Sequence, residues 1–190
     1  MSRPTLTGPA TSPQMIRMRA VLLAALVAAT CAAAPVRADL LRPGDPFPGW
    51  SLPDHTGRMV RASDLAGKPY LLWFYPKAMT PGCTAEGRQL RDRFADFQRR
   101  GVEVLGVSFD APEKNAEFVR AEGFPFRLLS DREHALAVAV GAARSAEQST
   151  ATRISYLVGA DGKVQRAYAE VSPGSHAGQV LDDLAAGTGP

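Results

Sequence analysis

Residues 70–94 read YLLWFYPKAMTPGCTAEGRQLRDRF, and most of what the sequence predicts about the architecture starts from this segment. It begins with a continuous apolar run, 70–75, which is typical of a strand covered on both faces of a sheet. The apolar positions that follow repeat at steps of three and four and predict one helix, which Gly101 ends. Those positions are Cys83, Gly87, Leu90, Phe94 and Phe97. Cys83 therefore lies in the first turn of a helix that follows a buried strand.

The rest of the chain alternates between strand and helix patterns. Residues 102–109 predict a second buried strand, and two such strands joined by a helix should run parallel through a right-handed crossover. Further patterns predict a β-hairpin at 50–61, helices at 112–122, 132–140 and 175–184, and strands at 126–129, 153–158 and 163–168. The order indicates an α/β fold with a central sheet, flanking helices and an N-terminal β-hairpin. Open sheets place their sites beyond the carboxyl end of a central strand, where Cys83 lies.

Residues 1–38 have the pattern of an export signal, which separates them from the folded domain, 39–190. A basic stretch, 15–19, precedes an apolar run, 20–30, and small residues lead to Ala38, after which we expect cleavage. A transmembrane helix needs about 20 apolar residues, so the apolar run is too short to span a bilayer. We therefore expect a mature protein that is periplasmic or secreted.

Three alternatives at the N-terminus stay open. The apolar run can serve as a membrane anchor instead of a cleaved signal. Cys31 follows this run and can be the acylated residue of a lipoprotein, although the residues before it lack the usual Leu and small-residue pattern. Translation can start at Met1 or at Met15.

The basic character of the chain comes mostly from the N-terminal segment. The full chain has a formal net charge of +3, and removal of residues 1–38 takes away four arginines and no acidic residue, which leaves −1. A charge so close to zero gives no support for a nucleic-acid partner or for stable association with a membrane surface. The three histidines are scattered without ligand spacing, so we expect no metal site and no cofactor; they are His55, His134 and His176.

Cys83 is the only cysteine that the mature domain would keep. Exported proteins mostly pair their cysteines, so a lone one is an intermolecular link, a free reactive thiol or a small buried hydrophobe. The thiolate is the nucleophilic form, and a helix N-terminus stabilises it through unpaired N–H groups and the positive end of the helix dipole. Pro81 suits a helix start because its missing N–H costs no hydrogen bond there. Thr80 lies close enough in sequence for its hydroxyl to fold back toward the sulfur.

A longer pattern around Cys83 carries a family resemblance. Pro76, Thr80 and Cys83 match the P-x-x-x-T-x-x-C signature of peroxiredoxins, and TPGCTAE resembles their peroxiredoxin Q (bacterioferritin comigratory protein) subfamily, within the alkyl hydroperoxide reductase / thiol-specific antioxidant superfamily. The similarity continues through GDPFPGWSLPDHTG, GVSFD, FPFRLLSD, RISYLVGADGKV and VSPGSHAGQVLDDL, and covers about residues 43–184. It implies a thioredoxin-like fold with a central mixed β-sheet.

The resemblance also implies an activity and a role for each matching residue. Cys83 would be the peroxidatic cysteine of a thiol-dependent peroxidase, and its thiolate would attack hydrogen peroxide or an organic hydroperoxide to form a sulfenic acid. Thr80 would orient sulfur and peroxide, Pro76 would shield the site from water, and Arg153 would stabilise the thiolate and polarise the O–O bond. The backbone N–H groups of Gly82 and Cys83 would complete the substrate site.

The sequence departs from the subfamily pattern at Arg88. Many members carry a second, resolving cysteine at this position, and no cysteine follows Cys83 in this chain. The mature chain therefore cannot form an intramolecular disulfide, and we predict a one-cysteine cycle that an external thiol resolves. That reductant can be thioredoxin-like, glutaredoxin-like or a low-molecular-weight thiol, and we expect a monomer or weak dimer.

Two other functions compete with the peroxidase. A thioredoxin-like disulfide reductase is disfavoured because C-x-x-C is absent, with Thr80 at the partner position. A redox-sensing or redox-inactive binding protein with the same fold is the second alternative. The peroxidase hypothesis predicts that the Cys83 sulfur lies within about 4 Å of the Arg153 guanidinium, the range in which an opposite charge favours ionisation. Glu86 is interpreted as a favourable charge in the first helical turn rather than as an acid catalyst.

Overall fold

The computed structural model describes residues 39–187, which form a five-stranded mixed sheet flanked by helices and a separate two-stranded hairpin. The strands are β1 (Ser51–Pro53), β2 (Met59–Arg61), β3 (Tyr70–Phe74), β4 (Glu103–Ser108), β5 (Arg127–Ser130), β6 (Ile154–Val158) and β7 (Val164–Tyr168). The helices are α1 (Pro81–Asp92), α2 (Phe94–Arg99), α3 (Pro112–Glu122), α4 (Ala135–Ala139) and α5 (His176–Ala185), with a 3-10 turn at Ala62–Leu65. The predicted α/β architecture with an N-terminal hairpin is confirmed.

Strand β3 occupies the centre of the sheet, whose order is β5-β4-β3-β6-β7. All five β3 residues are buried, as the continuous apolar run predicts. The strand pairs in parallel with β4, from Tyr70 opposite Glu103 to Phe74 opposite Val107, so the predicted parallel pair is confirmed. On its other side β3 pairs antiparallel with β6, where Phe74 lies opposite Ile154. The amino end of β6 therefore meets the carboxyl end of β3.

The sheet separates two hydrophobic clusters, and Cys83 belongs to one of them. Successive strand residues point to opposite faces, so Leu72 and Phe74 join one cluster while Leu71 and Trp73 join the other. Leu90 and Phe97 pack in the same cluster as Cys83 and are fully buried. The apolar side of α1 thus lies on the Trp73 face of the sheet.

Gly87 allows α1 to pack closely against Phe124, two residues after the end of α3. A Cβ added at Gly87 would lie 2.4 Å from the ring of Phe124, closer than packed atoms approach. The glycine in the apolar stripe is therefore a packing requirement. It brings the helix that carries Cys83 tightly onto the core.

Two helices differ from the sequence predictions. The single helix expected up to Gly101 is interrupted at Arg93, whose backbone (φ −104°, ψ 8°) ends α1 and begins α2. The Arg93 carbonyl accepts from the Asp96 N–H at 2.9 Å, a tighter turn that keeps Phe97 in the core. The helix expected at 132–140 is only Ala135–Ala139, because His134 adopts a left-handed conformation (φ 57°) that helices cannot contain.

The N-terminal predictions lie outside the described residues. The export signal at 1–38, its cleavage after Ala38 and the acylation of Cys31 all fall before residue 39. Within 39–187, no helix has the length and apolar character that crossing a membrane requires.

Candidate active site

Cys83 lies in the first turn of α1, as the sequence predicts. Thr80 is the N-cap residue and Pro81 is the first helical residue, so Cys83 is the third. Its side chain has zero exposure, and within residues 39–187 Cys83 is the free cysteine. A sulfur at this position faces backbone N–H groups that have no partner within the helix.

Arg153 reaches the sulfur from the neighbouring strand. It directly precedes β6, and the antiparallel pairing with β3 places it beside the loop that leads into α1. Its Nη2 donates to the Cys83 Sγ at 3.3 Å, which confirms the predicted approach within about 4 Å. The arginine side chain is only 20% exposed, so solvent screens this contact weakly. The guanidinium therefore places a positive charge directly beside the sulfur.

Glu86 forms the other half of the arginine contact, and the sequence interpretation of this residue was wrong. Glu86 has zero exposure and its Oε2 pairs with Nη1 of Arg153. Its Oε1 is buried with no hydrogen-bond partner among the described residues. Burial raises the pKa of Glu86 from 4.5 to about 7, although the positive charge of Arg153 acts in the opposite direction.

The reason Glu86 was misread is its distance in sequence from its partner. It lies next to the apolar stripe of α1, where a charged side chain usually points to solvent. Arg153 comes 67 positions later, so nothing local marks the pair. The signal that was available is its position one helical turn after Cys83, on the same side of the helix.

Gly82 leaves room for the arginine. A Cβ added at Gly82 would lie 3.2 Å from Nη2 of Arg153 and 4.0 Å from Pro173. Such a contact is tighter than nine in ten real Cβ contacts, so a side chain here would require the guanidinium to shift by a few tenths of an ångström. The absence of a side chain at Gly82 is therefore part of the arginine site.

The amino end of α1 carries no side-chain cap. Thr80 is a residue type that usually accepts a hydrogen bond from the helix N-terminus, but it makes no capping bond. Its hydroxyl donates instead to the Lys77 carbonyl at 2.9 Å. The structure thus gives the hydroxyl a backbone partner, whereas the sequence suggested that it folds back toward the sulfur. Because its proton is used, the Thr80 oxygen can act only as an acceptor for a ligand.

Pro76 and Arg88 occupy the positions that the sequence suggested for a shield and for the missing resolving cysteine. Pro76 is half-buried in the loop between β3 and α1.

Arg88 points out of the core, with 55% of its side chain exposed, and its Nε pairs with Glu122 Oε2 at 2.6 Å. The Arg91 guanidinium donates to the Glu122 carbonyl, also at 2.6 Å. The middle of α1 is thus attached to the end of α3.

A buried histidine packs near the arginine. His176, the first residue of α5, has zero exposure, and its Nε2 lies 2.9 Å from the Ser155 Oγ. Burial lowers the pKa of His176 from 6.5 to about 4, and the charge of Arg153 acts in the same direction. The imidazole is therefore neutral at physiological pH. Within residues 39–187, no three metal-ligating side chains cluster together.

Fold and site together define a class of protein. A thiol at a helix N-terminus, faced by an arginine that directly precedes an adjacent strand of a thioredoxin-like sheet, is the arrangement of a thiol-dependent peroxidase. The AhpC/TSA family model matches residues 43–167, and the chain belongs to this family.

Individual relatives support the subfamily. The chain is 40% identical to peroxiredoxin Bcp of Escherichia coli strain K12 over 149 residues, which covers 76% of this chain and 96% of that protein. The crystal structure of peroxidoxin BcpB from Mycobacterium tuberculosis aligns with a TM-score of 0.71 at 34% identity, covering 77% of this chain and 97% of that one.

A further structure concerns alkyl peroxide reduction. The Xanthomonas campestris bacterioferritin comigratory protein, studied for its alkyl peroxide reduction activity, aligns with a TM-score of 0.70 at 30% identity, and the match covers 80% of this chain and 99% of that one. The protein is thus a peroxiredoxin of the Bcp and peroxiredoxin Q type. It is a thiol-dependent peroxidase that reduces hydroperoxides.

Proposed function

We propose that this peroxidase works through a one-cysteine cycle at Cys83. In the first step the Cys83 thiolate attacks the terminal oxygen of the hydroperoxide, an S–O bond forms and the O–O bond breaks. The leaving oxygen takes a proton and departs as water or an alcohol, and Cys83 becomes a sulfenic acid. The observation that carries this proposal is the 3.3 Å contact between the Arg153 guanidinium and the Cys83 sulfur.

The residues around the sulfur have distinct roles in this step. Arg153 stabilises the thiolate and the charge that develops on the leaving oxygen. The uncapped N–H groups of Gly82 and Cys83 donate to a substrate oxygen, and the Thr80 oxygen accepts from the hydroperoxide proton. Pro76 limits the access of water from the loop side. Glu86 binds one terminal nitrogen of the guanidinium, Nη1, so that the other, Nη2, stays directed at the sulfur.

Resolution of the sulfenic acid follows from the lack of a second cysteine after Cys83. An external thiol attacks the sulfenic sulfur, which releases water and leaves a mixed disulfide. A second thiol then reduces this disulfide, and the two external sulfurs leave as their own disulfide. Because the Cys83 side chain has zero exposure, the first turn of α1 has to move before a thiol as large as a protein reaches the sulfur. Without such a thiol, the sulfur oxidises further to sulfinic and sulfonic acid.

A sulfenate-trapping experiment tests the cycle. The reduced full chain receives one equivalent of hydrogen peroxide together with a sulfenate-specific nucleophile, and peptide masses locate the adduct. We expect one adduct on Cys83, formed much faster than on free cysteine, and none in Cys83→Ser. Slow modification at the rate of a free thiol would instead favour the redox-sensing or inactive binding protein.

We further propose that residues 1–38 are an export signal, that the mature domain begins at Asp39, and that it acts as a monomer or weak dimer that is periplasmic or secreted. The support is the basic stretch, the apolar run and the small residues before Asp39. Expression in a bacterial host, followed by fractionation and intact mass, tests this. A periplasmic species starting at Asp39 is expected, whereas a full-length or acylated species would contradict it.

The identity of the reductant is open to a direct test. The compartment outside the inner membrane is kept oxidising, so the candidates are thioredoxin-like proteins, glutaredoxin-like proteins and small thiols that are supplied there. A thioredoxin-like or glutaredoxin-like protein that lacks its own resolving cysteine would remain attached to Cys83. Mass analysis of that adduct identifies the donor, and turnover with small thiols alone would indicate that no protein donor is required.

A further inference from the structure

Within the loop between β3 and α1, residues 76–79 are held by a carboxylate in the connection between β4 and α3. The Ala78 N–H donates to Oδ2 of Asp110 at 2.8 Å. Asp110 follows β4 and precedes α3, so this bond joins two loops at the same edge of the sheet. Among the hydrogen bonds of residues 39–187, it is the one that connects 76–79 to a different part of the fold.

The carboxylate of Asp110 is itself fixed to the sheet. The Ser108 hydroxyl donates to Asp110 Oδ2 at 3.1 Å, and the Asp110 N–H donates back to the Ser108 oxygen at 3.2 Å. Ser108 is fully buried at the end of β4. The central sheet therefore fixes the carboxylate of Asp110 through Ser108, and the carboxylate in turn fixes the backbone at Ala78.

The backbone next to Ala78 needs such support. Met79 has a left-handed conformation (φ 62°), which is unfavourable for a residue with a side chain and persists where surrounding bonds determine it. Its side chain is 49% exposed, so core packing does not hold it in place. The residue before Met79, Ala78, is bonded to Asp110, and the residue after it, Thr80, is bonded through its hydroxyl to the Lys77 carbonyl. Together these two bonds enclose the strained residue.

We propose that Asp110 is a positioning residue for the peroxide step. Through Ala78 it fixes the loop conformation that directs the Thr80 oxygen and the free N–H groups of α1 at the substrate. It does not touch Arg153, which Glu86 holds from within α1. Loss of the Asp110 contact should therefore slow the reaction with peroxide and leave the thiolate and its arginine in place. The inference rests on the roles proposed above for Thr80 and the helix N-terminus.

Two substitutions separate positioning from general damage. Asp110→Ala removes the acceptor for the Ala78 N–H, whereas Asp110→Asn keeps an oxygen at that position. Two rates are measured on each full-length protein, the oxidation of Cys83 by hydrogen peroxide and its alkylation by iodoacetamide. Alkylation requires a thiolate but no peroxide-orienting groups. Ser108→Ala, which removes the anchor of the carboxylate, is a milder variant should Asp110→Ala fold poorly.

The expected result is a selective loss. The peroxide rate of Asp110→Ala falls roughly tenfold, the effect of one hydrogen bond, while Asp110→Asn stays within about threefold of the wild type and the alkylation rates do not fall. Ser108→Ala falls in the same direction by a smaller factor. An unchanged peroxide rate, a parallel fall in both rates, or an Asn variant as slow as the Ala variant overturns the inference. Wild-type Cys83 that reacts no faster than free cysteine overturns the proposed cycle as well, which is a distinguishable outcome.

Discussion

Replacement of Arg153 by methionine tests the electrostatic basis of the site. The change removes the donor 3.3 Å from the Cys83 sulfur and keeps a side chain of similar length. It also leaves Glu86 buried without its partner. Because burial already raises the pKa of Glu86 to about 7, we expect this carboxyl group to take up a proton at neutral pH.

The expected magnitude follows from the contact that is lost. A hydrogen bond to a charged group contributes about 1.5–3 kcal/mol, which corresponds to a rate loss of about 10- to 150-fold. The full Coulomb energy of such a pair is larger, but Glu86 shares the same guanidinium and part of the charge is already neutralised. We therefore expect kcat/KM for hydrogen peroxide to fall within that range.

Rapid mixing with hydrogen peroxide, followed by quenching and trapping of the sulfenic acid, measures the rate directly. The matched control is the double variant Arg153→Met with Glu86→Gln, which leaves no unpaired carboxyl group in the core. It should regain thermal stability and remain slow with peroxide. A folded Arg153→Met protein that reacts within about twofold of the wild type would refute the argument from the contact geometry.

Three further predictions address Gly82, His176 and Phe97. Gly82→Ala places a methyl group 3.2 Å from Arg153 Nη2 and should lower the rate of the reaction with peroxide about three- to tenfold. The melting temperature should stay equal or rise, because alanine has the better helix propensity. An unchanged peroxide rate would contradict this prediction. For His176, the folded-state pKa of about 4 lies below the ordinary 6.5, so its contribution to stability is complete above pH 6.5 and falls by about 3 kcal/mol as the pH drops to 4. Denaturant unfolding at several pH values should show this loss in the wild type and not in His176→Asn, and equal slopes would refute it. Phe97→Ala, at a fully buried ring, should cost about 3–5 kcal/mol in denaturant unfolding, and a cost below about 1 kcal/mol would contradict the packing of α2.

The parts of the fold that the sequence predicted are those with a strong local pattern. Strand β3 is a continuous apolar run, and α1 shows three- and four-residue spacing from Cys83 to Leu90. The apolar run predicts a strand buried on both faces, and the three- and four-residue spacing predicts a helix buried on one face. The structure shows burial at the positions of both patterns. The break at Arg93 escaped prediction because it changes one backbone turn and leaves the apolar spacing intact.

The parts of the site that could not be predicted depend on contacts between distant segments. Arg153 was found only through the family resemblance, since its approach to Cys83 requires β6 to pair with β3. Glu86 was misjudged because its burial depends on that same arginine. Asp110 and Ala78 meet because two loops leave adjacent parallel strands at one edge of the sheet. In each case the deciding information is the strand order.

The most direct test of the one-cysteine cycle is a peptide-level mass measurement after oxidation and resolution. The full chain with Cys31→Ser, which keeps the single cysteine of the mature domain, is oxidised with one equivalent of hydrogen peroxide, mixed with one equivalent of a small monothiol, and digested. We predict a mixed disulfide of that thiol on Cys83, which a second equivalent returns to the free thiol. A disulfide that joins the Cys83 residues of two copies, formed without added thiol at the rate of turnover, would contradict it.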